Sequence, residues 1–290
     1  NNLTVRSSFI NDSRKQKPLS LKEYFTEIYS NPQDTLLREK EKKDFIVIYL
    51  ESFEKTFLNT DMFPNLSNWL NKFAWESNNY SNIHQAYGTS WTMWWMIWSQ
   101  CGIPLVHSKE SDGSFLSWST CIWDILSENW YTLQYVGGAE KSFADKDSFY
   151  ASHGFKNIEW VDEIESINTY DWWEYDDNVF SHSLEKIQKL EQNDIPYGLF
   201  MLTMDTHGKD GVMSETCKIQ YSQDDTILNS YFCTDSLVSK FITDARLINP
   251  DVHVFVISDH YAMNHSDTID ILNEFQNQRR ILFLSNNGSW

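Results

Sequence analysis

Three apolar runs, each ending in side chains that can do chemistry, constrain this chain most. They are Asp44–Ser52 (DFIVIYLES), Tyr197–Gly208 (YGLFMLTMDTHG) and Val252–His260 (VHVFVISDH). Each is rich in β-branched and aromatic residues and lacks polar alternation. That is the pattern of a strand buried on both faces, and hence of a parallel sheet. Parallel strands need crossovers, and helices are expected between them at Met62–Ala74, after Gly88, from Ser119, at His182–Asn193 and at Asp235–Ile248. Further strands are expected at Tyr131–Val136 and Arg280–Ser285. The alternation predicts one α/β domain with a mostly parallel central sheet flanked by helices. Residues 139–180 read as an irregular insertion rich in aromatics and acids. Residues 1–43 are polar and read as a lead-in with one amphipathic helix (Leu21, Tyr24, Phe25, Ile28, Tyr29), leaving 44–290 as the main domain.

In an open parallel sheet, ligands bind beyond the carboxyl ends of the strands. That rule gathers Glu51, the Asp205-Thr206-His207 turn and the Asp259-His260 pair onto one rim. Between the first two lies a hydroxyl-bearing helix start, Thr89-Ser90-Trp91-Thr92. The tryptophans Trp91, Trp94, Trp95 and Trp98 fall at helical spacing and read as a buried stripe. Carboxylates, imidazoles and a hydroxyl together are the equipment of a metal-assisted phosphoryl or sulfuryl transferase.

Charge narrows the partners. The chain has 23 basic and 41 acidic residues, a net charge of −18, which repels nucleic acid. Four cysteines form two sequence-local pairs without CxxC spacing, which removes zinc-ribbon and thioredoxin readings. Disulfides Cys101–Cys121 and Cys217–Cys233 are the natural pairing in an oxidising space. Four buried thiols are the alternative, and three connectivities are open. The uncharged stretch 86–106 is broken by Gly, Ser, Gln and Pro, which argues against a membrane span. No signal peptide opens the chain, which reads as a soluble domain.

The order and wording of these segments resemble the phosphoglycerol transferase branch of the alkaline phosphatase/sulfatase superfamily. That branch includes lipoteichoic acid synthases and transferases that decorate periplasmic glucans. FIVIYLESFEKTF resembles the strand ending in a metal-binding Glu. GTSWTMWWMIWSQCGIPL resembles the segment beginning with the nucleophilic Thr. CIWDIL, YVGGAEKSFADKDSFYASHGF, LTMDTHG and ISDH resemble further blocks, over roughly Asp44 to Ser285.

The resemblance implies an alkaline phosphatase-like fold and one divalent metal held by Glu51, Thr92, Asp259 and His260. The metal is manganese in the better-known relatives, with magnesium or zinc as alternatives. Thr92 would also be the nucleophile. His207 would contact the phosphate or protonate the leaving oxygen, and Lys146 would be a cation near the substrate. His153 and Asp205 would stand close to the substrate, and Trp173 would line a glycerol pocket. The implied partners are a phospholipid headgroup donor and a glycan acceptor. Membrane association would come through a region absent from this chain, in the cell envelope.

Four departures bear on this. The Trp-x-Arg element of lipoteichoic acid synthases is missing, so Lys146 would have to grip the headgroup. Trp94 and Trp95 replace small residues. Thr89 sits where phosphoethanolamine transferases carry their threonine, and is the second candidate nucleophile. The sulfatase CxPxR signature is absent, which disfavours sulfate ester hydrolysis. The alternatives are a phosphoethanolamine transferase, a phosphodiesterase, or a degenerate glycan-binding domain.

Overall fold

The computed structural model describes Pro32 and residues 42–86, 88–103, 109–155, 157–160, 169–170, 172–208, 210–263 and 267–287. The lead-in helix expected within residues 1–43 lies outside them. The strands are β1 (Phe45–Leu50), β2 (Asn78–Asn79), β3 (Thr132–Gly137), β4 (Asn157–Trp160), β5 (Thr169–Tyr170), β6 (Trp173–Glu174), β7 (Tyr197–Leu202), β8 (His253–Ser258) and β9 (Phe283–Asn286). The helices are α1 (Asn68–Trp75), α2 (Thr92–Cys101), α3 (Ile122–Glu128), α4 (Lys146–Ser152), α5 (Asp176–Leu190), α6 (Thr226–Ile248) and α7 (Asp267–Glu274).

Seven strands form one sheet in the order β2-β9-β8-β1-β7-β3-β4, and β5 and β6 make a separate antiparallel pair. The five strands β4, β3, β7, β1 and β8 run parallel; β9 and β2 close one edge antiparallel. The expected mostly parallel sheet is therefore present. β1, the most continuous apolar run, sits between β7 and β8, so all three chemistry-bearing strands are neighbours.

Side chains alternate across β1 and bury on both faces. Ile46, Ile48 and Leu50 join a core with Leu199, Met201, Val254 and Val256, beneath residues of α1, α5 and α6. On the other face, Tyr49 hydroxyl meets Ser99 Oγ at 3.1 Å and accepts from Gln100 Nε2 at 3.1 Å. Trp123 of α3 donates to Gln100 Oε1 at 2.8 Å and packs edge-on against Phe200. Gly198 in β7 leaves room for a ring: a Cβ there would come 2.5 Å from Phe45.

Several element boundaries differ from the sequence reading. α5 begins at Asp176, with Asp176 and Asp177 in its first turn, where acids complement the helix dipole. α6 begins at Thr226, because Asp225 caps it by accepting from Leu228 N–H at 3.1 Å. The span expected to be irregular contains α4, β4 and the β5–β6 pair. The tryptophan stripe is not a buried face. Trp95 is buried, but Trp91 is 47% exposed, and Trp94 and Trp98 are half-buried. Trp91 is the N-cap residue, with extended backbone, so it lies outside the helical phase. α2 stops at Gly102, whose positive φ of 69° suits a left-handed cap.

Both expected disulfides form. Cys101–Cys121 ties the end of α2 to the cap of α3, and Cys217–Cys233 ties the segment after β7 to α6. No helix among the described residues is long and apolar enough to cross a membrane.

The start of α1 is satisfied from another helix. Asp235 of α6 accepts from Trp69 N–H at 3.1 Å and Leu70 N–H at 2.8 Å. Burial pushes its pKa up to about 6, against the lowering effect of those two bonds. A raised carboxyl pKa means the folded state holds the proton more tightly than the unfolded state, so stability falls as pH rises from about 4 to about 6. Urea unfolding of the protein and of Asp235→Asn should therefore diverge with pH. The wild type should gain up to about 3 kcal/mol relative to the variant as pH drops from 7 to 4. A pH-independent difference would refute this account.

Candidate active site

Glu51 follows β1 directly and is fully buried, as are Asp259 and His260 just after β8. One ligand atom from each lies within 4.8 Å of the others. The cluster is held by a built frame. Asp259 Oδ1 accepts from Ser52 N–H at 2.8 Å and from His260 N–H at 2.7 Å. Ser52 Oγ donates to Glu51 Oε1 at 2.8 Å, from a backbone with φ of 54°. That left-handed value is uncommon for a non-glycine residue and costs on the order of 1 kcal/mol. Thr203 Oγ1 takes the Glu51 N–H at 3.0 Å, Thr206 Oγ1 donates to the Glu51 carbonyl, and Tyr231 hydroxyl donates to the Ser52 carbonyl at 3.0 Å.

A second, buried frame stands behind the first. Glu54 Oε2 binds Arg279 through Nε at 2.8 Å and through NH2, and accepts from Ala262 N–H at 3.1 Å. Glu54, in the segment after β1, is thus tied to Ala262 in the segment after β8 and to Arg279 ahead of β9, whose NH2 also donates to the Ala262 carbonyl at 2.8 Å.

The electrostatics follow from burial. Burial pushes the Glu51 carboxyl up, but the neighbouring His260 overrides it and holds Glu51 well below its usual range. Burial and the Glu51 charge push Asp259 well above its usual range. Burial lowers His260, but Asp259 and Glu51 raise it to about 10. The cluster thus demands positive charge. His260 Nδ1 points at the Tyr261 carbonyl at 2.7 Å, which turns Nε2 towards the acids. Nε2 lies 3.3 Å from Glu51 Oε1 and 3.4 Å from Asp259 Oδ2, yet neither Nε2 nor Asp259 Oδ2 has a hydrogen-bond partner. Unpartnered buried polar atoms are costly. Two carboxylates and one imidazole turned towards one another fit a divalent cation.

Thr92 is the first residue of α2, and its Oγ1 donates to Glu51 Oε2 at 3.0 Å. Thr89 is placed differently: fully buried, its hydroxyl donates to the Ala86 carbonyl at 2.7 Å. His207 sits in the turn after β7, near enough to Glu51 to help lower its pKa. The His207 ring packs edge-on against Trp172 at 5.4 Å and Trp173 at 5.6 Å. Lys146 is 2% exposed; burial lowers its pKa to about 8, and Glu51 and Asp259 oppose the drop. It is delivered by a strained turn, since Ala144 and Asp145 both have positive φ (59° and 56°) before α4 begins. Glu51, Thr92, Lys146, His207, Asp259 and His260 therefore share one electrostatic neighbourhood.

Two expected site residues go elsewhere. His153 ends α4 with both ring nitrogens engaged: Nδ1 with Asp124 Oδ2 at 2.8 Å and Nε2 with the Phe115 carbonyl at 3.1 Å. Cys121 beside it is tied up in a disulfide, which rules out a second metal centre there. Asp205 is buried beneath the β7 turn, accepting from Ser214 Oγ and from Asp176 N–H. Trp173 is buried beside His207.

Sequence reading missed Asp176. Its Oδ1 accepts from Met204 N–H at 2.6 Å and Asp205 N–H at 3.3 Å, so it shapes the turn that carries His207. An acid opening a helix gave no hint of that long-range bond. A row of rings was also missed. Trp91, Phe143, Trp172 and His207 follow one another at centroid spacings of 5.9, 5.0 and 5.4 Å, from the exposed rim inwards.

With this geometry in view, the similarity to known proteins is informative. The profile of the Sulfatase family matches residues 43–279. Proteins called phosphoglycerol transferase I from Salmonella arizonae and Escherichia coli are each 34% identical over 259 residues. These alignments cover 83% of this chain but only 34% of the relatives' length. Among solved structures, an alkaline phosphatase superfamily protein from Vibrio parahaemolyticus superposes with a TM-score of 0.69 at 21% identity, covering 86% of this chain and 61% of that one. The lipoteichoic acid synthase LtaP from Listeria monocytogenes gives 0.68 at 15%, covering 85% and 67%. The phosphoglycerol transferase GacH from Streptococcus pyogenes gives 0.59 at 12%, covering 86% and 69%. A parallel sheet ending in a buried Glu-Asp-His cluster, and a family profile matched along most of its length, make this chain a member of the Sulfatase family with an alkaline phosphatase superfamily fold.

Proposed function

We propose that this chain carries the catalytic site of a metal-dependent phosphoglycerol transferase. It would move glycerol phosphate from a phosphatidylglycerol-type donor to a glycan hydroxyl through a phosphothreonine at Thr92. The observation that carries the reading is the Thr92 hydroxyl held 3.0 Å from Glu51 within the Glu51-Asp259-His260 cluster. The 34% identity to proteins called phosphoglycerol transferase I supports the choice of donor class.

Glu51, Asp259, His260 and Thr92 would hold one divalent cation, and this mostly oxygen donor set favours manganese over zinc. The cation supplies charge neutralisation at the phosphorus and acidifies the hydroxyl beside it. With its acidified hydroxyl proton already lost to solvent, Thr92 attacks phosphorus through the Oγ alkoxide, the bond from phosphorus to the diacylglycerol oxygen breaks, and His207 gives that oxygen a proton. His207 then takes the proton of an acceptor hydroxyl. That oxygen attacks phosphorus and the bond to Thr92 Oγ breaks, returning Thr92 as the alkoxide and His207 in its protonated form for the next donor. Lys146 faces the phosphoryl oxygens, and Trp173 orients the His207 ring. Two disulfides fit an oxidising compartment such as the cell envelope.

Two measurements test this. Glycerol phosphate release from phosphatidylglycerol vesicles with manganese should fall about 10³-fold or more in Thr92→Ala and stay near wild type in Thr89→Ala. Lys146→Met should mainly raise KM, by about tenfold. Equal activity in Thr92→Ala would remove Thr92 as nucleophile, and ethanolamine phosphate release instead would change the donor. Separately, manganese should raise the melting temperature of the wild type and leave that of His260→Ala unmoved. A shift that survives in the variant would place the metal elsewhere.

A further inference from the structure

The chain carries 41 acids against 23 bases, yet one cleft of about 610 Å³ holds two cations and no carboxylate. Lys55 and Arg280 line it. Six of its twelve lining residues carry side-chain amides, among them Asn59, Asn79, Asn82 and Gln278. The cations are held by these amides and by backbone. Lys55 Nζ donates to Asn79 Oδ1 at 2.9 Å, and Arg280 Nε donates to Asn82 Oδ1 at 3.1 Å. Arg280 NH1 donates to the carbonyls of Asn277 and Arg279, at 2.9 and 2.7 Å. Neither cation forms an ion pair with a carboxylate among the described residues. Arg279, one residue earlier, is by contrast fully matched to Glu54. Partial burial and then the Arg280 charge lower the Lys55 pKa, the mark of two like charges held close.

Two unneutralised cations side by side repel one another, and an anion between them removes that cost. Amides both donate and accept, so a ring of them suits hydroxyl groups. Together they describe a phosphate ester on a hydroxyl-rich carrier. The cleft belongs to the same loops as the Glu51 cluster: Lys55 lies four residues beyond Glu51, and its N–H donates to the Arg280 carbonyl at 2.9 Å. Its lining includes none of Glu51, Thr92, Lys146, His207, Asp259 or His260.

We propose that this cleft is a second binding site, separate from the Glu51 cluster, for a phosphate-bearing saccharide. If the transferase reading holds, the occupant is the already substituted part of the glycan acceptor, retained while a further hydroxyl is presented to the catalytic site. The test is calorimetric titration of the metal-free protein with glucose 6-phosphate, glucose and inorganic phosphate. Glucose 6-phosphate should bind at least tenfold more tightly than the other two. That binding should weaken at least tenfold in Lys55→Gln/Arg280→Gln and in Asn79→Asp, which gives Lys55 a carboxylate, and should be unchanged in Lys146→Met. Melting temperatures near wild type would exclude unfolding as the cause. Binding unaffected by the two cleft variants, binding lost in Lys146→Met instead, phosphate alone binding equally well, or no binding at all would each overturn the proposal. Headgroup release, assayed in parallel, should persist in Lys55→Gln/Arg280→Gln. If no form released a headgroup while glucose 6-phosphate binding still depended on Lys55 and Arg280, the transferase reading would fail and the second site would stand.

Discussion

Two carboxylates and an imidazole buried together at the carboxyl edge of β1 and β8 are the constraint on which the rest depends. Burying such charge is expensive unless each atom is met by an opposite charge or a hydrogen bond. The chain meets the cost in layers. Backbone N–H groups of Ser52 and His260 bind one oxygen of Asp259. Hydroxyls of Ser52 and Thr92 bind the two oxygens of Glu51. What these leave unmatched faces inward, towards the space a divalent cation fits. The two neighbouring acids raise the pKa of His260 against the effect of its burial, so the cluster favours positive charge.

Rigidity comes from a different set of contacts. The Glu54–Arg279 pair, Tyr231 on the Ser52 carbonyl and Thr206 on the Glu51 carbonyl fix the loops from behind. Asp176 and Asp205 do the same for the turn bearing His207, with Asp176 reaching across from the first turn of α5. The disulfide Cys217–Cys233 restrains the segment that follows. Left-handed backbone at non-glycine residues includes Ser52, beside the acids, and Ala144 and Asp145, just before Lys146. The rings from Trp91 to His207 give one side of the site an apolar wall.

Charge is distributed with the same economy. Against a net charge of −18, Lys55 and Arg280 line a cleft whose lining includes no carboxylate, and Lys146 is buried where the Glu51 and Asp259 charges oppose the lowering of its pKa. Lys55 follows β1, Lys146 follows β3 and Arg280 precedes β9.

The sequence by itself determined the sheet and the edge at which its chemistry-bearing residues gather. Runs such as FIVIYL are too apolar to face water on either side, so they had to be central parallel strands, and parallel strands deliver their C-terminal residues to one rim. Glu51, Asp259, His260 and His207 were legible for that reason, and the cysteine pairs by their closeness in the chain. Only the tertiary structure decided the rest, because those choices depend on contacts between residues far apart in sequence. It separated Thr92 from Thr89, three residues earlier, by which hydroxyl reaches Glu51. It turned His153 to Asp124 and gave Asp176 to the β7 turn. It left Trp91 out of the core because the N-cap residue of a helix does not follow the helical phase. It also brought Lys55 and Arg280 together from opposite ends of the domain, a pairing no local pattern encodes.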